Sequence, residues 1–172
     1  MHRFLAPAAA VLALSFAPAV HAHGGEPHSA DKHRPPNLDA LEKPFGRTGD
    51  PKMVSRTIRI DGHDTMRYTP AEITVRQGET VRFIVYNAGR TMHEIVLGTL
   101  DDLQQHAEAM RRHPNMEHDE PYVAHVAPGQ SGEMIWQFTE AGDFHFGCLI
   151  PGHFEAGMRG RIKVVARDAK GK

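Results

Sequence analysis

Residues 142–165 read GDFHFGCLIPGHFEAGMRGRIKVV, and this stretch is the strongest evidence about the fold. In its first part, Phe144, Phe146 and Cys148 alternate with other residues, so they fall on one face of a strand. Its last part again has the composition of a strand. Between the two lies a loop with Pro-Gly and Ala-Gly turn signals that carries one histidine and one methionine. The stretch therefore predicts two β-strands joined by a loop with metal-binding side chains.

The same strand pattern continues through the preceding residues. Short apolar runs separated by turn signals predict strands at 56–60, 72–76, 80–87, 94–97, 122–126, 132–139, 143–148 and 160–166. Val81, Phe83 and Val85 share one face of their strand, which is typical of a half-buried sheet. Seven or eight strands at this spacing predict an all-β fold, a Greek-key β-sandwich, rather than a helical or α/β fold.

One segment departs from the strand pattern. Residues 100–113 are predicted to form a helix, because Thr99 followed by Asp102 is typical of a capping box and Pro114 ends the pattern. This helix belongs to an insertion at about residues 99–121 that is rich in His and Met.

The composition of the 172 residues narrows the function. With 20 Lys and Arg against 21 Asp and Glu, the chain lacks the basic surface that nucleic acid requires. The length suits one domain of ordinary size. The thirteen His, eight Met and one Cys are unusual, and copper accepts neutral nitrogen and soft sulfur ligands together.

The N-terminus is typical of a secretory signal peptide over residues 1–22. Arg3 precedes an apolar run, and Val20-His21-Ala22 forms a small-x-small cleavage site. The run is too short for a membrane span, so we expect a periplasmic protein with no membrane insertion after cleavage. Residues 23–54 are then expected to form a flexible, His-containing arm, and residues 55–168 the folded domain.

Export makes the single cysteine informative, since an exposed thiol would be oxidised in that compartment. Cys148 should therefore be buried or metal-bound. His153 and Met158 follow it at intervals of five residues, and His93 follows the turn NAGRTM. His93 is the best candidate for a fourth ligand, because the turn can bring it to the same end of the sandwich.

This donor set favours copper over other metals. Two His and one Cys with a long, weak axial Met form the site of mononuclear blue-copper proteins. Structural zinc usually has four strong ligands, commonly two or more Cys. A binuclear copper centre needs a second Cys in the loop, and the sequence has only one.

The chain resembles a cupredoxin of the plastocyanin/azurin family from about residue 68 to residue 165. The most specific pieces are YNAGRTMHEIVLG at 86–98 and the stretch at 142–165. Cys-x4-His with Pro-Gly before the His is similar to azurin, and the x4 interval to Met is similar to plastocyanin. The resemblance implies one type 1 copper per chain, bound by His93, Cys148 and His153 and axially by Met158.

Two residues depart from the family pattern. In plastocyanins an aromatic residue directly before the ligand Cys is part of a path for electron transfer. This chain has Gly147 at that position, so the path is not expected here. Glu94 stands where family members usually have an Asn that ties the two ligand loops together.

The remaining His and Met leave two interpretations open. They form either an auxiliary, weaker copper site or ordinary helix packing with solvated His. His106, Met110 and His113 are spaced for one helix face. The full set of candidate auxiliary ligands is His23, His106, Met110, His113, Met116 and His118.

The His-bearing arm and insertion are most similar to small periplasmic cupredoxins of copper tolerance. We therefore expect copper handling by one-electron redox cycling, with a redox partner protein or copper ions as partners, and a monomer. One alternative is a respiratory electron carrier between a c-type cytochrome and a copper reductase. Another is an enzyme, a Cu(I) oxidase that uses the auxiliary site. No catalytic residues are assigned, since the sequence shows no hydrolytic or group-transfer triad.

Overall fold

A computed structural model describes residues 42–113 and 120–167. The expected signal peptide and most of the expected arm lie outside these residues. The strands are β1 (Glu42–Lys43), β2 (Gly46–Thr48), β3 (Arg56–His63), β4 (Arg67–Thr69), β5 (Glu72–Arg76), β6 (Thr80–Asn87), β7 (His93–Gly98), β8 (Val123–Val126), β9 (Ser131–Gln137), β10 (Gly142–Gly147) and β11 (Arg159–Val165). One α-helix, α1 (Leu100–Arg112), lies between β7 and β8, and a 3-10 turn spans Pro51–Met53.

The strands form two sheets, which confirms the predicted β-sandwich. The first sheet has the order β1-β2-β9-β6-β3-β4, and the second has the order β5-β11-β10-β7-β8. Neighbouring strands are antiparallel except for β3 with β6 and β5 with β11, which are parallel. Antiparallel pairing of β7, β10 and β11 determines which strand ends meet, and this positions the candidate site.

The core lies between the two sheets and confirms the predicted alternation. Val81, Phe83 and Val85 are all at most 3% exposed. Trp136 from β9 and Phe146 from β10 are fully buried in the same cluster. Burying one large apolar side chain contributes roughly 1.5–3 kcal/mol, so these rows supply much of the driving force for folding.

Residues 42–48, which the sequence places in the flexible arm, instead form β1 and β2 of the first sheet. β2 pairs with β9, and the side chain of Phe45 is 2% exposed. The Trp136 indole N–H donates to the carbonyl of Phe45 at 2.9 Å, and the two rings stack with centroids 5.3 Å apart. The prediction of an arm up to residue 54 is therefore wrong at its C-terminal end, because one buried aromatic residue anchors strands too short to show a period.

Helix α1 begins and ends close to where the sequence predicts. The Thr99 hydroxyl accepts the N–H of Asp102 at 3.1 Å, and the Asp102 carboxylate accepts the N–H of Thr99 at 3.2 Å, which completes the capping box. The buried face of α1 packs on the second sheet and on the loop after β10. This second apolar cluster consists of Val96, Leu103, Ala107, Met110, Leu149 and Phe154. Within the described residues, neither α1 nor any other helix has the length and apolar character to cross a membrane.

Candidate metal centre

Three strand ends of the second sheet bring the predicted ligands together. His93 is the first residue of β7, Cys148 directly follows β10, and Met158 directly precedes β11. Gly147 pairs with Arg159 of β11 and with Val96 of β7, so these ends lie side by side. The antiparallel arrangement therefore places residues from distant parts of the sequence at one end of the sandwich.

His93, Cys148 and His153 form a compact cluster of donor atoms. One donor atom from each residue lies within 4.8 Å of those of the other two. The Cys148 Sγ and His153 Nδ1 atoms are 3.3 Å apart, and the two imidazole rings have centroids 5.3 Å apart. Cys148 is fully buried and His93 is 2% exposed, whereas His153 is partly exposed.

Met158 lies at the same place in the fold. It is fully buried, and a methyl group built on Gly62 of β3 would lie 3.2 Å from Met158 Cε and 3.7 Å from His93 Cδ2. The loop holds its own shape through backbone hydrogen bonds, from Cys148 N–H to the Met158 carbonyl and from Met158 N–H to the His153 carbonyl, both at 3.0 Å. Met158, the remaining ligand that the resemblance implies, therefore lies beside the cluster.

In the described part of the chain, a hydrogen bond holds the ring of His93 at one of its two nitrogens. Its Nε2 lies 3.2 Å from the Asp64 carboxylate, whereas its buried Nδ1 has no hydrogen-bond partner among the described residues. Hydrogen bonds from the backbone of Arg90 and from Thr91 lower the pKa of Asp64 to about 2. Nδ1 is thus the ring atom that remains available for a metal.

Burial dominates the electrostatics of Cys148 and His153. It raises the pKa of the Cys148 thiol to about 12, although backbone hydrogen bonds from Glu94 and Ile150 act in the opposite direction. Burial, followed by the neighbouring His93, lowers the pKa of His153. Without a metal, the thiol is therefore protonated and His153 favours its neutral form.

Glu94 connects the two ligand loops, although it is a carboxylate where the resemblance implies an amide. Its side chain is 2% exposed, and Oε1 accepts the N–H of Leu149 at 2.7 Å. Oε2 lies 3.2 Å from Nδ1 of His125, and the Tyr68 hydroxyl donates to the Glu94 backbone carbonyl. The link between the loops is therefore present in this chain with a different chemical group.

The structure explains why the residue before Cys148 is a glycine. A Cβ atom on Gly147 would lie 2.7 Å from Cδ2 of Phe154, so the Phe154 ring occupies the space that a side chain would need. Phe154 is buried, and the Arg159 guanidinium lies 5.4 Å from the centre of its ring. An aromatic ring thus lies beside the residue before Cys148, but it comes from the loop and not from the strand.

The donor set fits copper. A buried thiol, two imidazoles and a thioether are soft and borderline ligands, and one imidazole presents an unpaired buried nitrogen. In residues 42–113 and 120–167, this is the one group of three or more His, Cys, Asp or Glu found with donor atoms close enough for a metal ion.

Of the candidate auxiliary ligands, the described part of the chain contains His106, Met110 and His113. Met110 is 5% exposed and packs in the apolar cluster with Leu149, while His106 is partly buried and His113 is exposed at the end of α1. His23, Met116 and His118 lie outside the described residues. The burial of Met110 in this apolar cluster supports the packing interpretation for this residue.

Asp64 is a site residue that sequence reasoning missed. It lies in the turn between β3 and β4, and its contact with His93 depends on the parallel pairing of β3 with β6. Strand β4 was not predicted either, because its three residues show no clear alternation. An acidic residue in a turn carries no signal that would link it to a histidine far along the chain.

Comparisons with known proteins agree with the geometry. The sequence model of a family described as copper binding proteins, plastocyanin/azurin family, matches residues 54–165. The chain is 49% identical over 163 residues to a copper-resistant cuproprotein, CopI, of Rubrivivax gelatinosus, which covers 95% of this chain and 98% of the relative. It is 33% identical over 152 residues to the protein of the same name from Pseudomonas aeruginosa, covering 70% and 82%.

Solved structures show the same fold. Reduced auracyanin from Roseiflexus castenholzii has a TM-score of 0.57 at 23% identity and covers 65% of this chain and 98% of its own. Auracyanin B has a TM-score of 0.60 at 19% identity, with coverage of 70% and 96%.

Proposed function

The chain belongs to the plastocyanin/azurin family of copper-binding proteins, and from this premise we propose that it is a type 1 copper protein that serves copper tolerance by one-electron redox cycling. Copper handling follows from the family itself. The observation that carries the finer proposal is the convergence of His93, Cys148 and His153 at one end of the sandwich. The further step from copper handling to copper tolerance is supported by two relatives that are named copper-resistant cuproproteins.

Four side chains would hold the copper, namely His93, Cys148, His153 and Met158. A bound copper would supply a one-electron couple between Cu(II) and Cu(I), which imidazole, thiolate and thioether ligands together support. The protein would take one electron from a reduced donor and pass it to an oxidised acceptor.

The chain's own contribution is to hold these ligands in place before the metal arrives. The N–H of His153 donates to the Ile150 carbonyl at 2.9 Å, and two further backbone bonds close the loop from Cys148 to Met158. Because His93, Cys148 and Met158 are at most 2% exposed, water has little access to the donor atoms of these three residues. A preformed, dry site limits rearrangement when the charge of the site changes.

Cys148 must lose its proton to act as a ligand. Since burial raises the pKa of its thiol to about 12, copper uptake at neutral pH releases this proton. His153 is the most exposed of the four residues, so a redox partner protein or a copper ion would approach on its side.

We further propose that residues 1–22 are a signal peptide and that the mature protein is a periplasmic monomer. The apolar run and the small residues before position 23 support export. A buried, ligand-forming Cys148 is also compatible with an oxidising compartment, because a bound thiolate is protected from oxidation.

Absorption spectroscopy of the purified mature protein tests the site. Addition of one equivalent of Cu(II) to the wild type should give intense visible absorption, and Cys148→Ser should abolish it while the far-UV circular dichroism stays that of a β-sandwich. His153→Asn should weaken or shift the band, and His145→Asn is its matched control because His145 lies on β10 outside the cluster. An unchanged band in Cys148→Ser would contradict the proposal.

Growth of a deletion strain tests the physiological role. Loss of the gene should leave respiration normal and make cells sensitive to raised copper, and the wild type should restore growth whereas Cys148→Ser should not. Impaired respiration with normal copper tolerance would instead identify a respiratory electron carrier.

A further inference from the structure

The turn between β3 and β4 places a carboxylate against the first candidate ligand. We propose that Asp64 is a positioning residue, which fixes the tautomer of His93 and shifts the relative affinity of the site toward Cu(II). This inference rests on the proposed copper site, and it concerns a residue outside the ligand set.

The carboxylate of Asp64 is held in place by the turn that leads to His93. Oδ2 accepts the N–H of Arg90 at 2.8 Å, and Oδ1 accepts the Thr91 hydroxyl at 2.9 Å and the Thr91 N–H at 3.3 Å. The same Oδ1 lies 3.2 Å from His93 Nε2. Three donors thus orient the carboxylate toward the ring.

The turn is shaped to allow this approach. A Cβ atom on Gly89 would lie 2.0 Å from Asp64 Oδ1 and 3.1 Å from His93 Nε2, so a larger residue there would displace the carboxylate. On the inner side of the turn, the Asn87 amide donates to the Thr91 carbonyl at 2.7 Å and accepts the Gly89 N–H at 2.9 Å. The turn is therefore fixed from both sides around the Asp64 contact.

The contact determines which ring nitrogen carries the hydrogen. An ionised carboxylate only accepts hydrogen bonds, so Nε2 of a neutral His93 must be the donor. Nδ1 then has a free lone pair, and it is the atom that is buried without a partner among the described residues. Carboxylates that accept from a metal-binding histidine fix the ring in this manner and raise its basicity as a ligand.

The charge of Asp64 also affects the two copper states differently. A negative charge beside the ligand ring stabilises the doubly charged ion more than the singly charged one. The side chain is 34% exposed, so solvent reduces this effect without removing it. Loss of the charge should therefore weaken Cu(II) binding more than Cu(I) binding and raise the reduction potential.

The main experiment compares Asp64→Asn with Asp61→Asn in the full mature chain. Asp61 is a matched control, because it lies on β3, its side chain is 30% exposed and its carboxylate pairs with Arg59 at 2.7 Å instead of with His93. Cu(I) and Cu(II) affinities are measured by competition with chelators, and the reduction potential by redox titration.

For Asp64→Asn we expect Cu(II) affinity to fall about tenfold to a hundredfold. The ratio of Cu(II) to Cu(I) affinity should fall about tenfold, which corresponds to a rise of about 59 mV in potential. For Asp61→Asn, solvent screening should keep the change in this ratio to about twofold or less. Equal changes in the two variants would overturn the role of the Asp64 charge.

A measurement on the copper-free protein tests the contact between Asp64 and His93 without depending on copper binding. Nitrogen-15 NMR of the apoprotein should show His93 protonated at Nε2 in the wild type and in Asp61→Asn, with a shift toward Nδ1 protonation in Asp64→Ala. The same tautomer in all three proteins would overturn the positioning role. If the wild type bound no copper but showed the Asp64-dependent tautomer, the proposed function would fail while the contact between Asp64 and His93 would stand.

Discussion

The carboxylate of Glu94 links the start of β7 to the loop after β10. Glu94 is 2% exposed, and its carboxylate accepts the N–H of Leu149, the residue directly after Cys148. A buried N–H that loses its acceptor costs more free energy than an average hydrogen bond contributes. The side chain of Glu94 therefore stabilises the metal-free loop, whatever its effect on copper.

We predict that Glu94→Ala lowers the unfolding free energy of the apoprotein by about 1–3 kcal/mol, because the Leu149 N–H is left unsatisfied. Glu94→Gln should lose less, since its amide oxygen can still accept this bond. Urea denaturation of both variants measures the difference. Glu133→Ala is the control, because Glu133 is 48% exposed and pairs with Arg82 on the surface. A loss in Glu94→Ala no larger than in the control would contradict the prediction.

At the scale of elements, helix α1 packs against the loop between β10 and β11, which carries three of the candidate ligands. Leu103 and Met110 of its buried face belong to the same apolar cluster as Leu149 and Phe154 of the loop. At the surface, the Arg111 guanidinium lies 2.9 Å from the Glu155 carboxylate, also in the loop. The insertion therefore contributes packing next to the candidate copper site.

Substitutions of Met110 distinguish the packing interpretation of this helix from the copper-binding interpretation. Met110→Leu conserves volume without sulfur, so it should change stability by less than about 1.5 kcal/mol and leave the number of bound Cu(I) equivalents unchanged. Met110→Ala should cost about 2–5 kcal/mol in thermal or urea unfolding. Loss of a second Cu(I) equivalent in Met110→Leu would instead show that the sulfur is a ligand.

The elements that could be predicted from the sequence are those with local signals. The alternation of Val81, Phe83 and Val85 and the pairing of Thr99 with Asp102 involve neighbours in the chain, and both appear in the structure. The candidate ligands were found because three of them lie on one loop. Phe45 was missed because β1 and β2 are too short for a period, and Asp64 was missed because its contact arises only when distant strands pair.

At the scale of the whole molecule, the sandwich partly buries two histidines, His145 and His153, and this favours their neutral form. Burial lowers the pKa of His145 on β10, followed in effect by the nearby Arg161 guanidinium, and burial also lowers the pKa of His153. The unfolded chain therefore takes up protons at a higher pH than the folded chain does. By linkage, the folded state loses stability as the pH falls below about 6.5, the ordinary pKa of histidine.

We predict that the apoprotein is less stable at pH 5 than at pH 7, and that His145→Gln reduces this difference. Urea unfolding midpoints from pH 8 to pH 5 measure it. At pH 8 His145 is neutral in both states, so the effect of His145→Gln there reports only its packing and serves as the reference. A wild-type stability that rises toward pH 5, or a slope unaltered by the variant, would contradict the sign derived from the His145 shift.

The lengths of the outermost strands have a further consequence. In the described part of the chain, the first sheet ends in β1 and β4, with two and three residues, and the second ends in β5 and β8, with five and four. An unpaired strand edge is a template on which another chain can add, and short edges limit this addition. Along β1, β4, β5 and β8, the described part of the chain therefore offers another chain little backbone to pair with.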